Sequence, residues 1–147
     1  MEAVIFIGIQ ASGKSSYYLE KFYQTHIRLN LDMLRTRHRE DILLDACLQS
    51  KQKFVIDNTN PLRSDRKKYI DKAKQHGFDT IGYYFKSSVS ECLERNQKRT
   101  GKSFVPEVAV LGTYNKMELP QMNEGFDKLY YVSIENGTFL VEEYRTE

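Results

Sequence analysis

"IFIGIQASGKSSYYL", residues 5–19, passes from an unbroken apolar run through two glycines into a lysine and two serines. Gly8, Gly13, Lys14 and Ser15 keep the Gly-x-x-x-x-Gly-Lys-Ser spacing of a phosphate-binding loop. The flanks decide whether that spacing means anything. "AVIFIG" (3–8) is a β-branched and aromatic run, as a strand buried on both faces requires. "KSSYYLEKFY" (14–23) has the look of a helix. The loop therefore falls between the end of a buried strand and the start of a helix, which is the setting the motif needs.

The same alternation continues outward from the loop. "HIRLN" (26–30) is a short strand, and "LDMLRTRHREDILLDACLQS" (31–50) reads as one helix. "KFVIDN" (53–58) is a third strand. The next helix, in "NPLRSDRKKYIDKAKQHG", is expected to have Asn60 as N-cap, Pro61 at its first position and Gly77 just past its end. "DTIGYYF" (79–85) is a strand, "SVSECLERNQKR" (88–99) a helix and "TGKSFVP" (100–106) a loop. Another helix starts near Pro106, and "KLYYVSIENGTFLVEEY" (128–144) folds as a hairpin about Asn136–Gly137. Alternating strands and helices imply a largely parallel sheet covered on both faces, since each crossover returns right-handed over a face. Residues 1–147 are read as a single α/β domain.

Composition sets the surroundings. At 147 residues, 40% hydrophobic and 29% charged, the chain is an ordinary globular one with a sizeable core. A net charge of +2 demands no polyanionic partner, so any basic groove must be local. Cys47 and Cys92 sit in apolar, helix-like surroundings without metal-ligand spacing and are read as buried thiols, which favours a reducing compartment. No apolar run nears the ~18 residues of a membrane span, and the residues after Met1 have no signal-peptide character, so a cytoplasmic protein without a membrane partner is expected. The oligomeric state is not legible.

A glycine loop of this kind turns backbone N–H groups inward, and the following helix adds its positive end. Gly8, Ala11, Ser12, Gly13, Lys14, Ser15 and Ser16 would then cradle the phosphates of ATP. Lys14 would reach the terminal phosphates, and Ser15 would bind a bridging Mg²⁺. Asp57, ending the third strand, is a second candidate for the metal, with a turn-forming Asp in "DNTNP" as the alternative. Transfer of a phosphoryl group to a hydroxyl calls for a carboxylate to take the proton. Asp32 stands just after the second strand, and Arg35, three residues on, is expected on the same helix face, where it could hold a phosphate on the acceptor. A helix-stabilising Asp with an ordinary ion pair fits those two residues equally well. Arg95, Lys98, Arg99 and Lys102 form a basic cluster at a helix–loop junction, read either as a lid bringing cations to the nucleotide or as a solvated helix end.

Gly8–Ser15, "LNLDMLR", "FVIDNTNP" and "ERNQKRTGKSFVPEVAVLGTY", in this order and at these intervals, resemble the kinase domain of polynucleotide 5′-hydroxyl kinases. The resemblance extends through "KMELPQMNEGFDKLYYV" and covers nearly the whole chain. It implies a doubly wound P-loop kinase domain with a helical lid over about residues 95–115. By that resemblance Lys14 and Ser15 serve the nucleotide phosphates, and Asp32 is the general base on a 5′-hydroxyl of DNA or RNA. Arg35 grips the neighbouring acceptor phosphate. Arg99, with Arg95, stabilises the transferring group. Leu31 stands where the family commonly has an arginine, which removes one acceptor contact. A kinase of the same fold acting on a small alcohol, nucleoside or sugar nucleotide is the first alternative. A non-kinase ATP-binding switch is the second.

The remaining features are read as structural. "RTRHRE" (35–40) and "RSDRKK" (63–68) are taken as solvated helix faces, with a phosphate-tracking groove as the alternative, and Tyr83, Tyr84, Tyr130 and Tyr131 as strand core and edge residues in preference to base-stacking platforms. His26, His38 and His76 are expected at the surface.

Overall fold

A computed structural model describes residues 1–86, 88–101 and 104–144. Strand β1 (Glu2–Ile7) lies inside the sheet because Ala3 to Ile7 carry nothing that needs water; all five are at most 1% exposed. Around it run β2 (Ile27–Leu29), β3 (Phe54–Ile56), β4 (Asp79–Phe85), β5 (Lys128–Glu135) and β6 (Thr138–Glu143). Their order is β2-β3-β1-β4-β5-β6, parallel throughout except for β6, which returns antiparallel along β5. Val4 is flanked by Val55 and Ile81, so the register stacks β-branched residues across the middle of the sheet.

Alternate residues of β1 feed two cores. Helices α1 (Lys14–Lys21), α2 (Leu31–Leu34), α3 (Arg37–Ser50) and α4 (Arg63–Gln75) follow the first three strands. Ala3, Ile5 and Ile7 pack with Leu44 and Leu48 of α3 and Tyr69, Ile70 and Ala73 of α4. Val4 and Phe6 pack on the opposite face with Tyr17 and Tyr18 of α1 and with Phe22. Helices α5 (Val89–Gln97) and α6 (Glu107–Lys116) share a smaller core in which Cys92 and Val110 meet Ile9 and Ala11 of the glycine loop. Chain order leaves β1 toward β2 and β3, then crosses to β4. That reversal opens a crevice at the carboxyl ends of the strands, where Gly8, Asn30 and Asp57 stand.

Several expectations need correcting. Residues 31–50 do not form one helix: α2 ends at Leu34, Arg35 takes φ +76°, and Thr36 starts α3 by accepting a hydrogen bond from Arg39 N–H at 3.1 Å. Asn60 does not cap α4, because its amide instead donates to Phe6 O at 2.8 Å and its backbone turns at φ +45°. The helix starts two residues past Pro61, with Leu62 N–H donating to Asp65 at 3.0 Å. His26 is not a surface residue: it is 6% exposed, wedged edge-on against Phe22. Within "RSDRKK", Arg66 is wholly buried and forms a two-pronged pair with Glu124 at 2.8 and 3.1 Å. Other expectations hold. Gly77 follows α4 at φ +74°, the hairpin turns at Asn136–Gly137, Cys47 and Cys92 are buried and unpaired with each other, and across β4 and β5 Tyr83 stacks on Tyr130 while Tyr84 meets Tyr131 edge-on. Among the described residues no helix is long and apolar enough to cross a membrane.

Candidate active site

The loop between β1 and α1 closes tightly because two positions have no room for a side chain or no ordinary backbone for one. A Cβ on Gly8 would lie 2.8 Å from Ser12 Oγ and 2.9 Å from Phe85 Cβ. Gly13, at φ +101°, begins α1 and lies against Ile134 and Phe139 of the terminal hairpin. Gly8 N–H donates to Thr59 O at 3.0 Å, fastening the loop to the end of β3. Lys14 folds back into this ring, donating to Gly8 O at 2.9 Å and Ile9 O at 2.8 Å. Burial pushes its pKa down to about 8, partly opposed by the negative charges of Asp57 and, more weakly, Asp32, with Arg99 adding to the depression.

Ser15 and Asp57 meet at the mouth of the loop, with Ser15 Oγ donating to Asp57 Oδ2 at 3.1 Å. Asp57 is 1% exposed. Its counter-charge is Arg28 of β2, whose Nε is 2.8 Å from the same oxygen and whose Nη2 is 2.9 Å from Ser15 Oγ. A hydroxyl and a carboxylate side by side are hard oxygen donors of the kind Mg²⁺ takes in company with phosphates, and a guanidinium already rests on both. Among the described residues no group of three His, Cys, Asp or Glu side chains offers a closed metal cage. Ser16 follows on the exposed side of α1.

Asp32 is exposed in the single turn of α2, and the segment around it is fastened at three points. Asn30 accepts from Met33 N–H at 3.0 Å and donates to Asp57 O at 2.6 Å. Leu31 N–H donates to Asn58 at 3.0 Å, and Asn58 donates to the buried carboxylate of Glu40 at 3.0 Å. Glu40 also accepts from Tyr69 OH at 2.6 Å and pairs with Arg37 at 3.3 Å. The expected pair of Asp32 with Arg35 is not formed among the described residues, because α2 ends before Arg35 and the chain turns there; Arg35 is exposed beside it.

From the other side, α5 and α6 are tied straight to the loop. Arg95 Nη1 donates to Ala11 O at 2.6 Å, and its Nη2 lies 3.7 Å from Glu91. Gln10 donates to Thr113 of α6 at 3.0 Å. Asn96 grips Val105 N–H and O at 2.9 and 2.5 Å, holding the two helices together. Arg99 sits half-buried just beyond α5, and its charge acts on Lys14. Lys98 is exposed, and Lys102 lies outside the described residues. The structure thus gathers Gly8, Ala11, Ser12, Gly13, Lys14, Ser15 and Asp57 about one loop. Asp32 and Arg35 lie on one flank of it, and Arg95 and Arg99 on the other.

Sequence reasoning missed Arg28, Asn30, Glu40, Asn58 and Arg66. A cation within "HIRLN" was a signal for Arg28, since a short strand beside a buried sheet has little reason to hold one. The asparagines of "DNTN" looked like turn residues, and nothing local shows that their side chains reach Glu40 and Phe6.

A family model described as an AAA domain matches residues 4–120. The chain is 29% identical over 134 residues to the bifunctional polynucleotide phosphatase/kinase of Schizosaccharomyces pombe, covering 85% of this chain and 32% of that protein. It is 23% identical over 143 residues to the L-seryl-tRNA(Sec) kinase of Methanococcus maripaludis, covering 84% and 55% respectively. It therefore spans about a third and about half of the lengths of these two curated relatives. Among solved structures, a gluconokinase from Sinorhizobium meliloti superposes with a TM-score of 0.61 at 20% identity, over 90% of this chain and 82% of that one. The fold is that of P-loop kinases.

Proposed function

This chain belongs to the AAA-domain family of P-loop proteins, and on that premise we propose that it is an ATP-dependent kinase acting on the 5′-hydroxyl of a DNA or RNA end. The observation that carries the reading is the placement of a carboxylate, Asp32, at the end of the strand neighbouring the Ser15–Asp57 pair, with the lysine loop behind it. The name of the Schizosaccharomyces pombe relative supports the polynucleotide acceptor over other hydroxyls.

The roles follow from the chemistry of the groups. Lys14 exchanges its loop carbonyls for the oxygens of the β- and γ-phosphates, and the loop N–H groups and the start of α1 hold the rest. Ser15 and Asp57 would hold Mg²⁺, which when bound would neutralise negative charge on the nucleotide phosphates. Asp32, exposed on α2, accepts the proton of the attacking hydroxyl. Arg35 meets the acceptor's phosphate. Arg99 and Arg95 place positive charge around the moving phosphoryl group from the α5 side, and the segment at about 95–115 acts as the lid that excludes water.

One observation favours a small-molecule acceptor instead: Leu31 and Met33, the latter 60% exposed, flank Asp32 with apolar surface. The test is transfer of γ-labelled phosphate to 5′-hydroxyl DNA and RNA oligonucleotides beside a panel of nucleosides and sugar nucleotides. Asp32→Asn is expected to lower transfer about 10²–10⁴-fold while nucleotide binding stays unchanged. Label on small molecules alone rejects the polynucleotide reading, and no acceptor-dependent label with intact ATP binding rejects the kinase reading.

A further inference from the structure

Resting on the reading that Ser15 and Asp57 hold the metal, we propose that Arg28 is a stand-in cation. It fills the cradle while the protein is metal-free and must leave when a divalent ion arrives with the nucleotide. Asp57 is a buried carboxylate and needs a counter-charge at all times. Lys14 does not supply it directly, since its ammonium gives its hydrogen bonds to Gly8 O and Ile9 O. Arg28 does, with Nε on Asp57 Oδ2 at 2.8 Å and Nη2 on Ser15 Oγ at 2.9 Å.

The competition is built into the atoms. Ser15 has one hydroxyl hydrogen, which it gives to Asp57 at 3.1 Å, while Arg28 donates to the same oxygen. A metal ligated here needs a lone pair of Ser15 Oγ and the charge of Asp57, and two cations on the same two oxygens repel each other strongly. Arg28 has a way out: its side chain is 23% exposed, and β2 is the edge strand, three residues long. The consequence is an order of binding. A free divalent ion meets a cradle already neutralised, whereas an ion carried on a polyphosphate brings oxygens of its own.

Two measurements on the full chain test this. In the first, Mn²⁺ binding is followed by the loss of its free-ion paramagnetic resonance signal, without nucleotide and with a non-hydrolysable ATP analogue. Without nucleotide, Arg28→Gln is expected to bind Mn²⁺ at least about tenfold more tightly than wild type. Its melting temperature is expected to fall in a chelator and recover by about 4 °C at Mg²⁺ tenfold above its dissociation constant, with wild type unmoved. In the second, the Nε–H resonance of Arg28 in wild type is expected to be protected from exchange when metal-free and to lose that protection with Mg²⁺ and the analogue. This needs no variant to fold. Equal Mn²⁺ affinities without nucleotide, or an Arg28 signal still protected in the loaded protein, overturn the proposal while leaving Ser15 and Asp57 as metal ligands. If Ser15→Ala and Asp57→Asn take up Mn²⁺ with the analogue as wild type does, the metal reading itself fails, and this proposal with it.

Discussion

Replacing Lys14 with methionine measures what the glycine loop demands of its lysine. The ammonium is held against two carbonyls in a buried ring, and burial lowers its pKa from the ordinary 10.5 to about 8. Between those two values the folded protein binds fewer protons than the unfolded chain, so stability rises with pH across that interval and is lost as pH falls through it. At about 1.4 kcal/mol per pH unit, the contribution across the interval is about 3 kcal/mol. The variant lacks this group, and the other titrations are common to both proteins. The unfolding free energy of wild type minus that of Lys14→Met is therefore expected to grow by about 3 kcal/mol between about pH 7.5 and 10.5. At neutral pH the charge penalty is offset in part by two hydrogen bonds at about 1 kcal/mol each, so the nucleotide-free variant is expected to be at least as stable as wild type. Urea unfolding of both proteins at several pH values supplies the numbers. If the two stability curves run parallel from neutral to alkaline pH, Lys14 does not titrate at a depressed value, and the burial argument is wrong.

Two further outcomes test the frame around the site. Arg66→Met leaves the Glu124 carboxylate, 2% exposed, without its cationic partner and removes the guanidinium donor from Asn60 O and Glu118 O, while Pro61 O keeps Glu118 N–H, so a loss of about 3–5 kcal/mol is expected by denaturant unfolding. A loss under about 1 kcal/mol would mean that the pair is dispensable. His26 is held in its neutral form mainly by burial, against the pull of Glu2 at 3.4 Å and with Lys53 adding to the depression. Its folded value lies below 6.5, so stability is expected to fall as pH drops below that value, and His26→Gln should flatten this part of the curve.

Local pattern made most of the fold legible. Unbroken apolar runs marked β1, β3 and β4, turn residues placed Gly77 and the Asn136–Gly137 hairpin, and alternation implied the parallel sheet. The break at Arg35 escaped because a charged, helix-favouring stretch carries no local sign of a residue at positive φ. Asn60 escaped for the opposite reason. Its capping propensity is real, but a carbonyl 54 positions away in the chain takes its amide.

The phosphate loop is a matter of sequence alone, since glycines, lysine and serine at fixed spacing after a strand determine its shape wherever the sheet puts it. Arg28 on the Ser15–Asp57 pair, Glu40 beneath Asn58, and Arg95 on the loop are a matter of tertiary structure alone. Each joins residues between 13 and 84 positions apart, and no periodicity encodes a contact of that length. Which side chain neutralises a buried carboxylate depends on which strands become neighbours. Here β2 and β3 pair side by side, and that pairing brings a guanidinium to Asp57.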